Sequence, residues 1–312
     1  METEKRTMQA ISKTILEKYQ VRKTKKQKTE FINLLAADLE SAGHQIRVER
    51  SGLLKSCNLV VGDLENCQVV LGAHYDTAPV LPFPNFLAPK NILVYLLFIL
   101  ALIVAVVLIE FVVGSAIFLI TDSQTAVTVF LYGLLAFFLG WTLFGKANRH
   151  TANDNTSGVI TLVEALACEE LQGKICCVFF DHEEVGLFGS MAFASKHKNI
   201  MKDKLLINFD CVGDGDHLLL VVNKRAREYW SAVEAAFLPE GEKQVVVTKA
   251  STTMYPSDQS NFKKNIGAAV FKKSRIFGYY MNKIHTKHDV DCDMRNIELI
   301  VQGLKRFVKE IA

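Results

Sequence analysis

Two apolar runs stand back to back in the middle of this 312-residue sequence. Residues 91–120 are broken only by Glu110 and the mild Ser115, and residues 126–145 are apolar or nearly so. Thr121-Asp122-Ser123-Gln124-Thr125 is a short polar turn between them. A helix of about 20 residues crosses the hydrocarbon of a bilayer. The pattern predicts a two-helix transmembrane hairpin over 91–145, and any soluble body must then be built from two separated stretches of chain. At about 1.5 Å per residue the first run exceeds a core of about 30 Å. Glu110 is therefore expected near an interface, since a carboxylate within lipid is costly.

The flanks orient the hairpin. Lys90 precedes it, Lys146 and Arg149 follow it, and the turn carries only Asp122. Basic residues favour the cytoplasmic side, so a cell-membrane protein with two spans and a cytoplasmic body is expected. Seven cysteines, an odd number without a CxxC pair, fit a reducing compartment. No secretory signal pattern opens the sequence. Four of the six prolines (Pro79, Pro82, Pro84 and Pro89) mark residues 79–90 as a linker. The expected organisation is a basic helical arm over 1–30, a first part of the soluble domain over 31–78, the linker, the hairpin, and a second part over 146–312. Nine Lys/Arg against four Glu in residues 1–30 give the arm +5 of a total of +3. No zinc-finger spacing or aromatic-basic interleaving accompanies it, so nucleic acid is not an expected partner. Anionic lipid suits the arm better, and an ordinary solvated helix explains it equally well.

Outside the hairpin, apolar strands alternate with amphipathic helices. Apolar spacings of three and four predict helix over 8–41, interrupted at the polar stretch 22–29. Strands are expected over 45–49, 58–61, 68–73, 174–180, 205–209, 217–222, 245–248 and 268–271. Helices are expected over 157–169, 188–197, 226–237 and 295–308. This is an α/β pattern: a mixed, largely parallel central sheet flanked by helices, with the two-helix hairpin inserted.

Ligand-type residues recur where apolar strands end. His74 and Asp76 follow one strand, Glu183 and Glu184 a second, and Asp210 a third; Asp154 precedes a helix and His285 lies in a late loop. In an open parallel sheet such ends converge on one edge. Imidazole and carboxylate suit zinc. Two adjacent ions need a bridging carboxylate, and a further carboxylate must accept the proton of an attacking water. The Glu183-Glu184 pair offers one group for each task. Asp76, two residues from His74, suits a role orienting that imidazole. Singly, each element has a plainer explanation: Asp154 as a helix cap, the glutamates as a solvated first turn. Together they read as a hydrolytic metal centre.

Five blocks in order carry a resemblance: Gly72-Ala73-His74-Tyr75-Asp76-Thr77, Asn153-Asp154-Asn155-Thr156-Ser157-Gly158, Glu183-Glu184-Val185-Gly186-Leu187-Phe188-Gly189-Ser190, Asn208-Phe209-Asp210, and His285-Thr286-Lys287-His288-Asp289. The sequence resembles the co-catalytic two-zinc aminopeptidases of metallopeptidase family M28. The resemblance implies two Zn2+ per chain, with Asp154 as the bridge, His74 and Asp210 on one ion, and Glu184 and His285 on the other. It implies Glu183 as general base, Asp76 as support for His74, and release of N-terminal residues from peptides. His285 is preferred to His288 because the family motif is His-Thr-x-x-Asp. Gln259 stands where the family commonly has a histidine after Ser-Asp, a position that is not a ligand.

The departure is the insert. The hairpin falls between His74 and Asp154, which follow one another closely in soluble members. Substrates are accordingly expected to be peptides, membrane-associated ones if the mouth faces the bilayer; plain tethering, or a homo-oligomer contact through the hairpins, explains the insert as well. Three rival functions are a glutaminyl-cyclase-like acyltransferase on peptide N-termini, an inactive peptidase-fold scaffold, and a transporter. The complete ligand set disfavours the first two, and two spans are too few for the third.

Overall fold

The computed structural model describes residues 2–312, with side chains from residue 8 onward. Met1 and the side chains of residues 2–7, including Lys5 and Arg6 of the basic arm, lie outside the described residues. The chain opens with α1 (Glu2–Lys18) and α2 (Lys25–Ser41). The break falls at 19–24, earlier than the polar stretch suggested. Thr24 sets it by accepting from the Gln27 N–H while the Gln27 side chain returns to the Thr24 N–H, a reciprocal cap. Next come strands β1 (Ile46–Ser51), β2 (Ser56–Val61) and β3 (Val69–His74), then α3 (Ile92–Thr121) and α4 (Gln124–Phe144). The second stretch gives α5 (Gly158–Leu166), β4 (Ile175–Phe180), α6 (Phe188–Lys196), α7 (Lys198–Met201), β5 (Leu205–Phe209), β6 (His217–Val222), α8 (Trp230–Ala236), β7 (Gln244–Lys249), β8 (Lys264–Ser274), β9 (Gly278–Tyr280) and α9 (Met294–Glu310).

The strands form one mixed sheet in the order β1-β2-β4-β3-β5-β8-β6-β7, with β9 on the outer part of β8. The central run β4-β3-β5-β8 is parallel. Its strands are apolar on both faces, as burial on two sides requires. Val69, Leu71, Ala73, Cys177 and Phe179 point into one core with α1, α2, α5, α8 and α9; Val70, Cys176, Val178 and Phe180 point into a second, smaller one with α6 and α7. The period-two alternation is what lets one strand serve both layers. All seven cysteines are free.

Residue 30 falls inside α2, and Met8, Ile11 and Ile15 of α1 are buried in the same core as Val159 and Leu162. The basic arm is thus packed onto the sheet's helical layer through its apolar face. The expected helix 226–237 begins as a 3-10 segment over Lys224–Tyr229 before α8.

The hairpin stands off this body. Both helices are long and apolar enough to cross a membrane, and neither buries its apolar window against protein. Leu93, Phe111, Leu119 and Phe144 are exposed. The base is tied to the body. Pro79 and Ala147 form an antiparallel bridge, the Val80 N–H donates to the Lys146 carbonyl at 2.8 Å, and Trp141 Nε1 donates to the Val80 carbonyl at 2.8 Å.

Candidate metal centre

Ligand-type side chains meet where β3, β4 and β5 end. Parallel register puts His74 beside Phe180, and Gly72 beside Asn208, so the loops leaving these three strands emerge on one sheet edge. His74 Nε2 lies 3.4 Å from Asp154 Oδ1 and 3.5 Å from Asp210 Oδ1. On the other side, His285 Nε2 lies 2.9 Å from Asp154 Oδ2 and 3.3 Å from Glu184 Oε2. Asp154 therefore presents one oxygen to each imidazole. Donor atoms of His74, Asp154 and Glu184 fall within 4.8 Å of one another, as do those of His74, Glu183 and Asp210. All seven residues singled out in the sequence are gathered here. His285 joins the cluster through its contacts to Asp154 and Glu184.

The supports are as specific as the cluster. Asp76 accepts from the Glu183 N–H at 2.9 Å and the Glu184 N–H at 3.2 Å, and its Oδ1 is 3.7 Å from His74 Nδ1. It thus ties the first strand end to the second. Asp289, the last residue of the late motif, does the same for Asp154, accepting from the Asn153 and Asp154 N–H groups at 2.8 and 3.0 Å. Asn155 donates to the Phe209 carbonyl at 3.0 Å and accepts from the Gly158 and Cys211 N–H groups. Asp154 does not cap α5: it has φ −109° and ψ 97°, inside a distorted turn over Ala152–Ser157. The Tyr255 hydroxyl donates to the Asp210 carbonyl at 2.6 Å.

Arg22 is fully buried beneath the site. Its Nε donates to the Tyr75 carbonyl at 2.5 Å, its Nη1 to Thr156 Oγ1 at 3.1 Å and to the Tyr19 carbonyl, and its backbone N–H to Thr77 Oγ1 at 3.0 Å. It joins the loop after β3 to the loop of Asp154, which the hairpin separates in sequence. Burial lowers its pKa to about 10, with Asp76 and Asp154 pulling the other way.

The electrostatics of the cluster call for positive charge. Burial raises Glu184 to about 8 against the pull of His285, and burial raises Glu183 well above the usual carboxylate range. Burial opposes the charged form of His285, yet Glu184 and Asp154 outweigh it and lift it to about 10. Against the cost of burial, His285 and His74 hold Asp154 below the usual carboxylate range, so positive charge among these carboxylates stabilises the cluster. Glu184 Oε1 is buried with no hydrogen-bond partner, an arrangement that a metal ion would satisfy. The nitrogen and oxygen donor set fits zinc.

A cavity of about 280 Å³ adjoins the cluster, lined by Asp76 and Glu184 on one side and by Lys23, Thr142, Leu143 and Phe144 on another. The last turn of α4 thus contributes to its wall.

Comparison with known proteins gives the family and the fold. The model of peptidase family M28 matches residues 139–299, which include every member of the cluster except His74 and Asp76. Among curated proteins no relative matches. The LapA aminopeptidase of Legionella pneumophila superposes with a TM-score of 0.59 at 14% identity, over 99% of this chain and 72% of that one. The glutaminyl cyclase of Porphyromonas gingivalis gives 0.56 at 17% identity, over 96% and 97%. A Zn-dependent exopeptidase from Parabacteroides distasonis gives 0.54 at 14%, over 97% of each. The sheet and its flanking helices are a zinc-exopeptidase fold, and the class is that of zinc-dependent hydrolytic peptidases. The chain belongs to peptidase family M28.

Proposed function

We propose that this chain is an aminopeptidase that removes N-terminal residues from peptides with two zinc ions per chain, anchored in a membrane by its α3–α4 hairpin. The observation that carries the reading is the placement of Asp154 between the two imidazoles, one carboxylate oxygen toward each. His74 and Asp210 would hold one ion, Glu184 and His285 the other, and Asp154 both. When bound, the pair would supply Lewis acidity to a water and to the scissile carbonyl.

The remaining work falls to the chain. Glu183 is the general base: grouped with His74 and Asp210, and fixed through its N–H on Asp76, it stands beside the ions without being required as a ligand. Its carboxylate would take a proton from the attacking water and return it to the leaving amine. Asp76 orients His74. Likeness to an aminopeptidase supports cleavage from the N-terminus, and likeness to an exopeptidase supports cleavage at a chain end. A cyclase acting on peptide N-termini is the second reading, favoured by the near-complete overlap with the P. gingivalis enzyme; the full set of five ligand candidates favours hydrolysis.

Membrane residence is supported by the exposed apolar faces of α3 and α4, and a cytoplasmic body by Lys90, Lys146 and Arg149 at the hairpin base. Because the end of α4 walls the cavity beside Glu184, membrane-associated peptides are the substrates it fits. Contact between hairpins of two copies is a further role for the same segment.

The test is incubation of the purified, detergent-solubilised chain with a mixed peptide library, with and without chelator, beside Glu183→Gln. Loss of N-terminal residues that chelator abolishes, and that the variant lacks, supports the proposal. Ring closure of N-terminal glutamine without hydrolysis would replace it by the cyclase reading.

A further inference from the structure

Three apolar features leave the body from one edge of the sheet. The hairpin departs after the C-terminal end of β3. Strand β2 runs antiparallel to β4, so the turn that precedes it comes off at that same end, and Ser56 Oγ there lies 2.9 Å from His182 Nδ1. Leu53 in this turn is 86% exposed, with Leu54 exposed beside it. Strand β8 runs parallel to β5 and continues from Ala268, its last partner, to Ser274. Those six residues project about 20 Å beyond the site edge at roughly 3.3 Å each. The turn at the tip is Arg275-Ile276-Phe277, where Ile276 is 76% exposed and Phe277 exposed.

Scattered exposed side chains are ordinary. Here the second tip is joined to the hairpin. Phe277 packs against Phe86 at 5.4 Å between ring centroids, and Phe86 packs against Phe98 at 5.5 Å. Phe98 lies six residues into α3, about 9 Å along the helix. The tip therefore stands level with the first turns of the helix read as a span. Cations surround it: Lys273 and Lys90 lie 5.3 and 6.0 Å from the Tyr279 ring, and Arg275 adjoins Ile276. Aromatic rings with lysine and arginine suit the headgroup level of an anionic leaflet.

We infer that a lipid surface is a binding partner of the catalytic body itself: the site edge lies against the bilayer, with Ile276–Phe277 and Leu53–Leu54 entering the headgroup region. The inference rests on the reading of α3 and α4 as membrane spans. It places the mouth of the metal centre at the lipid boundary, where a peptide partitioned into the interface arrives without passing through bulk water.

The full chain is reconstituted in nanodiscs of phosphatidylcholine and phosphatidylserine, with or without brominated lipid. Tryptophan emission is read for the parent, which carries Trp141 and Trp230, for Ile276→Trp, for Leu53→Trp, and for Gln172→Trp at the opposite sheet edge. After subtraction of the parent, emission at 276 and 53 is expected to be quenched about twofold, consistent with shallow insertion, and emission at 172 to be unchanged. Unquenched emission at 276 or 53, with Trp141 quenched in the parent, overturns the inference and leaves the spans intact. Blue-shifted but unquenched emission assigns the tips to a contact between copies and overturns it equally. No quenching of Trp141 removes both the inference and the membrane reading beneath it.

Discussion

His285 Nε2 lies 2.9 Å from Asp154 Oδ2, although the two are 131 positions apart and six of the nine strands lie between them in sequence. The other oxygen of Asp154 faces His74. The first part of the chain, the loop after the hairpin and the late motif thus converge on one carboxylate. The contacts that hold them there decide whether two ions fit.

Arg22 is one such tie. Its guanidinium joins the Tyr75 carbonyl to Thr156, within two residues of His74 and of Asp154. Arg22→Met leaves these buried acceptors unpaired and is expected to cost about 2–5 kcal/mol of stability. Arg22→Lys, which keeps the charge but loses the fork, should recover part of it. Chemical denaturation of the metal-free chain measures both. Equal stability of Arg22→Met and the parent would show that the tie is not needed.

The linker reaches the other histidine. The Leu81 N–H donates to the His285 carbonyl at 2.8 Å, and Leu87 pairs with Met281. Leu81→Pro removes that donor. Zinc affinity on the Glu184–His285 side is expected to fall about tenfold or more, while the His74–Asp210 side changes little. Competition titration with a chromogenic chelator separates the two sites. Equal weakening of both would refute the coupling.

Metal uptake should be steeply pH-dependent. Burial resists a charged His285, but Glu184 and Asp154 raise it to about 10; burial raises Glu184 to about 8. Because an ionised Glu184 is what lifts His285, the two titrate as a pair, and the pair holds at least one proton at pH 7 in the metal-free chain. Raised values stabilise the protonated competitor, so affinity falls as pH falls. Binding at pH 7 should release about one proton or more per chain, read by calorimetry in buffers of different ionisation enthalpy. No release would contradict the protonation assigned here.

Much of this was legible in the sequence, and the losses have physical causes. Ligand candidates could be found because strand ends in an open sheet share an edge, and because the motifs carrying them are short and local. Arg22 and Lys28 could not: each sits in a basic run that reads as solvated, yet Lys28 is bound to Asp181 at 2.6 Å and Arg22 lies beneath the site. Their burial depends on partners over fifty residues away. Asn155 reads as a turn residue, while its amide ties its own loop to the segment after β5 and, at 3.4 Å, to the His74 carbonyl. The extension of β8 beyond Phe271 and its pairing with β9 run through Lys272, Lys273 and Ser274, where no apolar alternation marks a strand.

Asp154 serving two ions is the central claim. Zinc content per chain, measured by elemental analysis after equilibrium dialysis of the full chain and of Asp154→Asn, addresses it directly. Two zinc ions in the parent, and fewer than one in a variant that remains folded, are expected. A parent that saturates at one ion, or a variant that keeps two, would contradict it.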